Sequence, residues 1–320
     1  MNITFTEAYS EDDKALVRSI NAWIKDSGKS KADLSRRTGI PDGTRSGILN
    51  GSYPSSPTEF LLRMAAEMGR TDERNQSAKV DIPFVATSIY ADIEYACRRA
   101  HIDCDFGIFV GQVGIGKTTG LRNYAQKNRA AVLIEAFDGI DHSTFISELV
   151  KAAGLASVTG NTSQQVARLI GALKGSDKMI LVDEANSLKP FSFGALRRIS
   201  DTAGIGVMLV GTHDLLPMVQ DPAGRFGQIS SRIGFWPELV SRIPAKDCAL
   251  MVDSYFGEPQ PEPIVKAFYS HCEGSARALK NLLKNTCRYA IKNNADITPE
   301  LIGKINADAL AGRGYKIGGA

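Results

Sequence analysis

Several features are scarce in this sequence of 320 residues, and each absence excludes a class of protein. No apolar run approaches the length that a helix needs to cross a bilayer, which excludes a membrane-spanning protein. The five cysteines are scattered and form no C-x-x-C pair, so neither a zinc site nor a disulfide framework is indicated. The first residues lack a basic segment followed by an apolar one, so we expect no export. These features fit a reducing cytoplasm.

Strong charge of one sign is also missing, because the formal net charge is only +3. A value this small does not by itself indicate a nucleic-acid partner, so the distribution of the charges has to decide. The hydrophobic fraction of 43% and the charged fraction of 23% are ordinary for a globular protein. The length allows two or three domains, and no internal repeat is visible.

The chain divides into blocks of different pattern. We predict a helical N-terminal domain at 1–70, a linker at 71–83, an α/β core at 84–240, a helical lid or C-terminal domain at 241–311, and a flexible tail at 312–320. Short apolar strands alternate with amphipathic helices in the core, which is typical of a parallel sheet. The predicted strands are 106–110, 131–136, 179–183 and 206–211.

A phosphate loop is the clearest motif, since residues 111–118 match G-x-x-x-x-G-K-[ST] at every position. The glycines let backbone amides turn toward a phosphate chain, and the helix predicted from Thr119 to Gln126 directs its N-terminus at the same anion. We expect Lys117 to bind the β- and γ-phosphates of ATP and the Thr118 hydroxyl to ligate Mg²⁺. The predicted nucleotide-binding residues are Gly111, Gly114, Gly116, Lys117, Thr118 and Thr119.

Two later apolar strands end in polar residues that suit hydrolysis of the bound nucleotide. The first ends in Asp183 and Glu184, the Walker B arrangement, in which Asp183 would hold Mg²⁺ and Glu184 would act as general base on water. The second is followed by Thr212 and His213, either of which could orient that water. A loop histidine with no role is the alternative for His213.

Together these motifs resemble the AAA+ ATPases, which implies a P-loop NTPase core and two further arginines. By that resemblance, Arg232 in Ser-Arg-Ile would be a finger that reaches the nucleotide of a neighbouring subunit, with Arg225 as the competing candidate. Arg277 in Gly-Ser-Ala-Arg would be a second sensor that reaches the γ-phosphate of its own subunit. A guanidinium balances the charge that develops on the phosphoryl group in the transition state.

The N-terminal block resembles the helix-turn-helix domains of Cro and repressor proteins. A short helix is predicted to end at Gly39 in the left-handed conformation, Ile40 would fill the inter-helix core, and a second helix would run through Ile48 and Leu49. Arg45 would lie at the exposed start of the recognition helix and contact DNA. A module used only for protein contacts is the alternative.

A basic stripe follows Gly274, where cationic residues recur every three or four positions and no acidic residue intervenes before Ala295. Like charges at this spacing repel one another, and a phosphate backbone would offset the cost. We expect mostly non-specific contact with double-stranded DNA, and a solvated face is the alternative. The predicted contacts are Lys280, Lys284, Arg288 and Lys292.

The order of these parts resembles the Mu B family of phage transposition proteins along nearly the whole chain. The resemblance implies an ATP-dependent oligomer or filament on target DNA in a bacterial host cell, which captures the target and activates a DDE transposase. One departure is Thr212, where the family is expected to have asparagine. A helicase-loader-like ATPase and an ATP-liganded helix-turn-helix regulator remain as alternatives.

Overall fold

The computed structural model describes residues 3–27, 30–78, 83–155, 160–220, 230, 232–235 and 239–311. The chain divides into two compact units, an N-terminal unit at Met1–Asp81 and a C-terminal unit at Ile82–Ala320. Within the described ranges, no helix combines the length and apolar character that a membrane span requires.

The N-terminal unit is a bundle of four helices. They are α1 (Glu11–Ser27), α2 (Lys31–Thr38), α3 (Asp42–Leu49) and α4 (Thr58–Ala78). Their shared core is apolar and contains Val17, Ile20, Leu34, Ile40, Ile48, Leu49, Leu61 and Met64. Helix α4 continues through Ala78, so the first eight residues of the predicted linker are helical.

Helices α2 and α3 are joined by a tight turn whose chemistry is local. Ser30 caps the start of α2 by accepting a hydrogen bond from the amide of Asp33. Gly39 ends the helix at φ 70°, and its amide donates to the carbonyl of Ser35. This left-handed position, and the burial of Ile40 behind it, agree with the prediction.

The C-terminal unit contains a parallel sheet of five strands in the order β2-β3-β4-β1-β5. The strands are β1 (Phe106–Val110), β2 (Ala131–Glu135), β3 (Met179–Asp183), β4 (Val207–Gly211) and β5 (Ile233–Phe235). Two predicted strands are confirmed to the residue and two differ by one residue at an end. The short β5 was not predicted, because three residues do not show a strand pattern.

Helices cover both faces of this sheet. Helix α5 (Ser88–Asp103) precedes β1, and the described helices between the strands are α6 (Lys117–Lys127), α7 (His142–Ala152), α8 (Thr162–Leu173), α9 (Pro190–Ala203) and α10 (Leu215–Gln220). Strands β1, β3 and β4 are buried at every position, as expected for central strands of a parallel sheet. Both faces of the sheet therefore pack against helices, and polar side chains gather where the strands end.

The last four helices are α11 (Ala245–Phe256), α12 (Glu262–Cys272), α13 (Ala276–Asn293) and α14 (Pro299–Ala311). They share a hydrophobic core with one face of the sheet, in which Phe268 and Leu279 lie with Phe109 and Leu121. Residues 241–311 were predicted as a helical lid or C-terminal domain, and in the described residues they are helical and belong to one compact unit with the sheet.

Candidate functional site

The phosphate loop joins the buried end of β1 to the first turn of α6. Gly114 and Gly116 have φ values of +85° and +110°, a region that strongly favours glycine. A Cβ atom on Gly114 would also lie 2.7 Å from the Ser275 hydroxyl oxygen, so the loop is closed from outside by the start of α13. The loop therefore has room for backbone and phosphate, but for no side chain at this point.

Lys117 lies at the centre of the loop and is 5% exposed. Its ammonium donates hydrogen bonds to the carbonyl oxygens of Gly111 at 2.8 Å and Gln112 at 3.0 Å. Burial lowers the pKa of Lys117, and the nearby carboxylates of Glu184 and Asp183 oppose that shift. A buried ammonium held only by carbonyls can exchange them for phosphate oxygens, which carry full charge.

Asp183 and Glu184 stand at the end of β3, beside the phosphate loop. Asp183 is 2% exposed, and burial raises the pKa of its carboxyl while a hydrogen bond from the Thr118 hydroxyl lowers it. Glu184 lines the same cavity as Lys117 and has a left-handed backbone at φ 51°. Strained residues of this kind concentrate at functional sites, since the surrounding structure must hold them.

The donor set at Thr118 and Asp183 fits Mg²⁺. This ion takes one or two protein oxygens and fills its remaining positions with water and substrate phosphates. A paired hydroxyl and carboxylate match that requirement, and no cluster of three or more His, Cys, Asp or Glu ligands occurs in the described ranges. The predicted metal residues are therefore brought together.

Thr212 follows β4, which pairs directly with the strand that carries the phosphate loop. Its amide donates a 3.0 Å hydrogen bond to the Asn186 side-chain oxygen, and its hydroxyl donates to the Asp214 carboxylate at 3.0 Å. The Thr212 oxygen thereby retains lone pairs that can accept from a water molecule. His213 is exposed, with its ring nitrogen 3.6 Å from Asp214.

Asn186 is a residue of the site that the sequence did not predict. It lies in the 3₁₀ turn Ala185–Ser187, three residues after Asp183, and its side chain connects that turn to the tip of β4. Asn186 therefore couples the position of Glu184 to that of Thr212. The only sequence signal is its place just after Asp183-Glu184-Ala185, which does not predict the partner.

Helix α13 begins directly on the phosphate loop. The amide of Arg277 donates to the carbonyl oxygen of Gly114 at 3.0 Å, and Ser275 caps the helix by accepting from the amide of Ala278. The Arg277 side chain is exposed and lines the loop cavity, close enough to Lys117 to lower its pKa. This placement brings Arg277 into the same cavity as Lys117, and its role as a second sensor stays a prediction.

The cavity beside the loop, which we call the loop cavity, has a volume of about 400 Å³. One end is polar and the other is largely apolar. Its lining consists of Pro83, Phe84, Val85, Thr87, Tyr90, Val113, Gly114, Ile115, Gly116, Lys117, Thr118, Thr119, Gly120, Glu184, Met251, Ala276, Arg277 and Lys280.

An aromatic pair stands at the apolar end, where the ring centroids of Phe84 and Tyr90 are 4.9 Å apart and nearly perpendicular. The Lys127 ammonium lies 5.6 Å from the first ring and 5.3 Å from the second, which polarises both. A cavity with cations at one end and aromatic and aliphatic walls at the other suits a nucleotide. No sequence pattern signals this wall.

Lys280 differs from its predicted placement on an outer DNA-binding stripe, because it lines the loop cavity. One turn separates it from Arg277 on α13, so helical geometry brings both cations to the same cavity. Further along, Lys284 is half-buried, and Arg288 and Lys292 are exposed. The four predicted contacts therefore differ in surroundings, since Lys280 belongs to the loop cavity and only Arg288 and Lys292 are fully exposed.

The surroundings of Arg45 differ from the prediction that this residue is exposed and contacts DNA. It is 7% exposed, and its guanidinium donates to the Lys31 carbonyl, to the Ser35 hydroxyl at 2.6 Å and to the Asp42 carboxylate. An arginine held in this way ties α3 to α2 and is not available to a base edge. The sequence pattern placed Arg45 near the start of α3. The burial of its side chain depends on contacts with α2, which the pattern does not show.

Arg232 makes a two-pronged ion pair with Asp201 near the end of α9, at 2.8 Å and 3.0 Å. Such a pair fixes the guanidinium on its own subunit. A finger role would require Arg232 to leave Asp201 for a neighbouring nucleotide, and this role stays a prediction. The competing candidate, Arg225, lies outside the described residues.

Comparison with known proteins gives consistent results. Residues 100–219 match the AAA domain family. The Mu-like prophage FluMu DNA transposition protein B of Haemophilus influenzae is 24% identical over 225 residues, which cover 68% of this chain and 77% of that protein. The ATP-dependent target DNA activator B of Escherichia phage Mu is 23% identical over 183 residues, 56% of this chain and 58% of that protein. This second match therefore spans little more than half of the phage protein.

Two solved structures share the fold. The Aeropyrum pernix ORC2 protein, solved as ADPNP–ADP complexes, superposes with a TM-score of 0.53 at 18% identity and covers 67% of each chain. The Drosophila ORC bound to DNA gives 0.51 at 15% identity, covering 75% of this chain and 65% of that one. At this level of identity, the likeness concerns the arrangement of sheet and helices.

Proposed function

Because the chain is a homologue of the Mu-type transposition B proteins and carries an AAA domain, we propose that it is an ATP-dependent DNA-binding ATPase that assembles on target DNA and activates a DDE transposase. The observation that carries the ATPase part is the convergence of Lys117, Thr118 and Glu184 on one cavity. That cavity has an apolar end of the right character for a base.

In this proposal the triphosphate lies along the phosphate loop, over the amide groups at the start of α6. Lys117 exchanges its two carbonyl partners for the β- and γ-phosphate oxygens, and Arg277 and Lys280 add positive charge from α13. Thr118 and Asp183 would hold Mg²⁺, which supplies charge neutralisation to the phosphates when bound. The adenine ring packs between the Phe84–Tyr90 pair and Met251.

Hydrolysis would proceed by attack of water on the γ-phosphorus. Glu184 accepts a proton from that water, the new P–O bond forms, and the bond to the β-phosphate oxygen breaks to release ADP. The Thr212 hydroxyl, which already donates to Asp214, accepts a hydrogen bond from the water and helps to orient it. Threonine thus replaces the expected asparagine without losing an acceptor.

The proposed interactions with target DNA and with a transposase are inferred from the names of the relatives. The phage Mu relative is named as an ATP-dependent target DNA activator, and the Drosophila structure is of a protein bound to DNA. On this chain the exposed Arg288 and Lys292 are the cations of α13 best placed to contact a DNA backbone. The protein would act as an ATP-dependent oligomer or filament inside a bacterial host cell.

Electron microscopy of the protein with double-stranded DNA tests this proposal. We expect ordered assemblies on DNA with ATP and a non-hydrolysable analogue, and few with ADP, because γ-phosphate contacts differ between the two states. A strand-transfer assay with the cognate DDE transposase should show increased insertion into DNA that has been pre-incubated with the protein and ATP. Assembly that does not depend on nucleotide, or insertion that the protein does not stimulate, would contradict it.

A further inference from the structure

A buried carboxylate connects two distant parts of the C-terminal unit. Asp247, in the first turn of α11, is 1% exposed. Its two oxygens accept from the amide of Ser88 at 3.1 Å and 3.0 Å, and one of them also accepts from the Ser88 hydroxyl at 2.7 Å. The two residues are 159 positions apart in the chain. We call this pair the Asp247–Ser88 clamp.

The chemistry of the clamp explains how the charge is tolerated. A carboxylate removed from water is destabilising unless hydrogen bonds replace its solvent. Ser88 is the first residue of α5, so its amide is one of the donors that a helix leaves unpaired at its N-terminus. The positive end of the helix dipole adds to the stabilisation. The clamp therefore satisfies a helix end and a buried charge together.

The position of the clamp is what gives it a function. Thr87, the residue before Ser88, lines the loop cavity together with the preceding Val85. Met251, one turn after Asp247 on α11, lines the same cavity. The clamp therefore ties the segment of Val85 and Thr87 to the helix that carries Met251, so that two parts of the cavity lining are held together.

We propose that Asp247 is a positioning residue, whose hydrogen bonds with Ser88 set the width of the base-binding end of the cavity and couple α11 to nucleotide binding. The inference rests on the proposed nucleotide-binding function and goes beyond it by naming a residue outside the phosphate loop. The phosphate end is built by α6, β3 and α13, whereas the clamp joins α5 to α11, so we expect the phosphate end to retain its shape when the clamp is broken. The clamp should therefore affect binding of the base and not of the phosphates.

Two variants remove the clamp with little change elsewhere. Asp247→Leu keeps the branched shape of the side chain but has no acceptor for the donors of Ser88. Ser88→Pro removes both donors and suits the first position of a helix, where proline is favoured. The preceding Thr87 has φ −75° and ψ 166°, an extended conformation that a following proline accepts.

Two matched controls keep the clamp. Ser88→Thr retains the amide and a hydroxyl. Asp253→Asn alters another carboxylate of α11, which accepts from the amide of Gln260 at 2.8 Å and does not line the cavity. Thermal unfolding of every variant establishes whether the protein is folded, and Asp247→Leu carries the test if Ser88→Pro does not fold.

The experiment compares the affinity for ATP with that for inorganic tripolyphosphate, which has phosphates but no base. We expect the two clamp variants to weaken ATP binding by about tenfold, because the lining that contacts the base is no longer held in place before binding, and to leave tripolyphosphate binding unchanged. In steady-state hydrolysis, KM for ATP should rise while kcat changes by less than about twofold, since uniform binding is reduced. Both controls should behave as the wild type.

The inference is overturned if ATP affinity and KM stay unchanged in the folded clamp variants, or if ATP and tripolyphosphate weaken equally, which would indicate a general structural role. Wild-type protein and Lys117→Ala are measured in parallel. If the wild type binds neither ligand, the proposed nucleotide-binding function fails, and the clamp loses its role with it. If the wild type binds both ligands and the clamp variants bind them equally well, the clamp alone is rejected.

Discussion

The amide of Arg277 donates a hydrogen bond to the carbonyl oxygen of Gly114, so helix α13 starts on the phosphate loop itself. Any nucleotide that moves the loop must move the start of α13 or break this bond. The exposed cations Arg288 and Lys292 lie further along the same helix. A rigid helix thus connects the phosphate end of the cavity to the surface that we propose for DNA binding, which is a physical route from nucleotide state to DNA affinity.

Lys117 and Glu184 should separate nucleotide binding from turnover. Lys117→Ala is expected to abolish ATP binding, because it removes the charge that faces the ground-state phosphates. Glu184→Gln is expected to retain ATP and to lower hydrolysis by about 100-fold or more, since it removes the general base. Nucleotide titration and phosphate release measure the two effects. Lys151→Ala, at an exposed lysine paired with Glu148, is the control, and normal turnover by Glu184→Gln would exclude this residue as the base.

Asn186 should act on hydrolysis through Thr212. Asn186→Ala is expected to reduce kcat by about tenfold to a hundredfold, because the tip of β4 loses the hydrogen bond that positions it. ATP affinity should remain near that of the wild type. Asn186→Asp keeps an acceptor for the Thr212 amide and should recover part of the activity. Equal losses in both variants would show that the amide group itself, and not the acceptor, is required.

Substitution of Arg232 should show whether the proposed active site is shared between subunits. If it acts on a neighbour, Arg232→Ala loses hydrolysis while retaining nucleotide affinity. Mixing it with Lys117→Ala should then restore some activity, because the intact Arg232 of one subunit meets the intact loop of the other. Asp201→Asn frees the guanidinium and should leave hydrolysis at least as fast. If Arg232→Ala and Asp201→Asn instead lower the thermal midpoint equally and spare hydrolysis in assembled protein, the ion pair is purely structural.

The end of α13 should contribute to DNA affinity without sequence preference. Arg288→Ala with Lys292→Ala is expected to weaken duplex binding on all sequences. The plot of log affinity against log salt should become shallower by roughly 0.9 for each phosphate that the protein no longer neutralises. Filter binding at several salt concentrations measures the slope. An unchanged slope in the folded double variant would show that these residues are solvated and do not contact the DNA backbone.

Arg45 should matter for stability and not for base recognition. Arg45→Ala is expected to lower the free energy of unfolding of the N-terminal unit by about 1–3 kcal/mol, because the Ser35 and Asp42 partners lose a buried charged donor. Denaturant unfolding measures this loss. Arg36→Ala, at an exposed arginine, is the matched control. A stable Arg45→Ala protein with altered preference among DNA sequences would instead support base recognition by this residue.

The parts of this protein that sequence predicts well are those whose chemistry is local. Gly116 and Lys117 are specified by a motif within one strand-loop-helix unit, and Gly39 by the end of a single short helix. Arg45 and Lys280 were assigned to the correct helices, but their surroundings were predicted wrongly. Helical periodicity shows which face of a helix a residue occupies, and it does not show which other element packs against that face. The partnership of Asp247 with Ser88 left no trace in the sequence, since only the tertiary fold brings the two residues together.

The left-handed backbone of Glu184 means that natural selection and a search for thermostability would choose different residues at this position. A non-glycine residue at φ 51° costs roughly 1–2 kcal/mol relative to the right-handed region, a cost that glycine avoids. Glu184→Gly should therefore cost little stability, or even raise it, while removing the carboxylate that faces the phosphates. A screen that scored variants by melting temperature alone would accept a protein that lacks the proposed base, so under the proposed mechanism the left-handed backbone at Glu184 retains activity at the expense of stability.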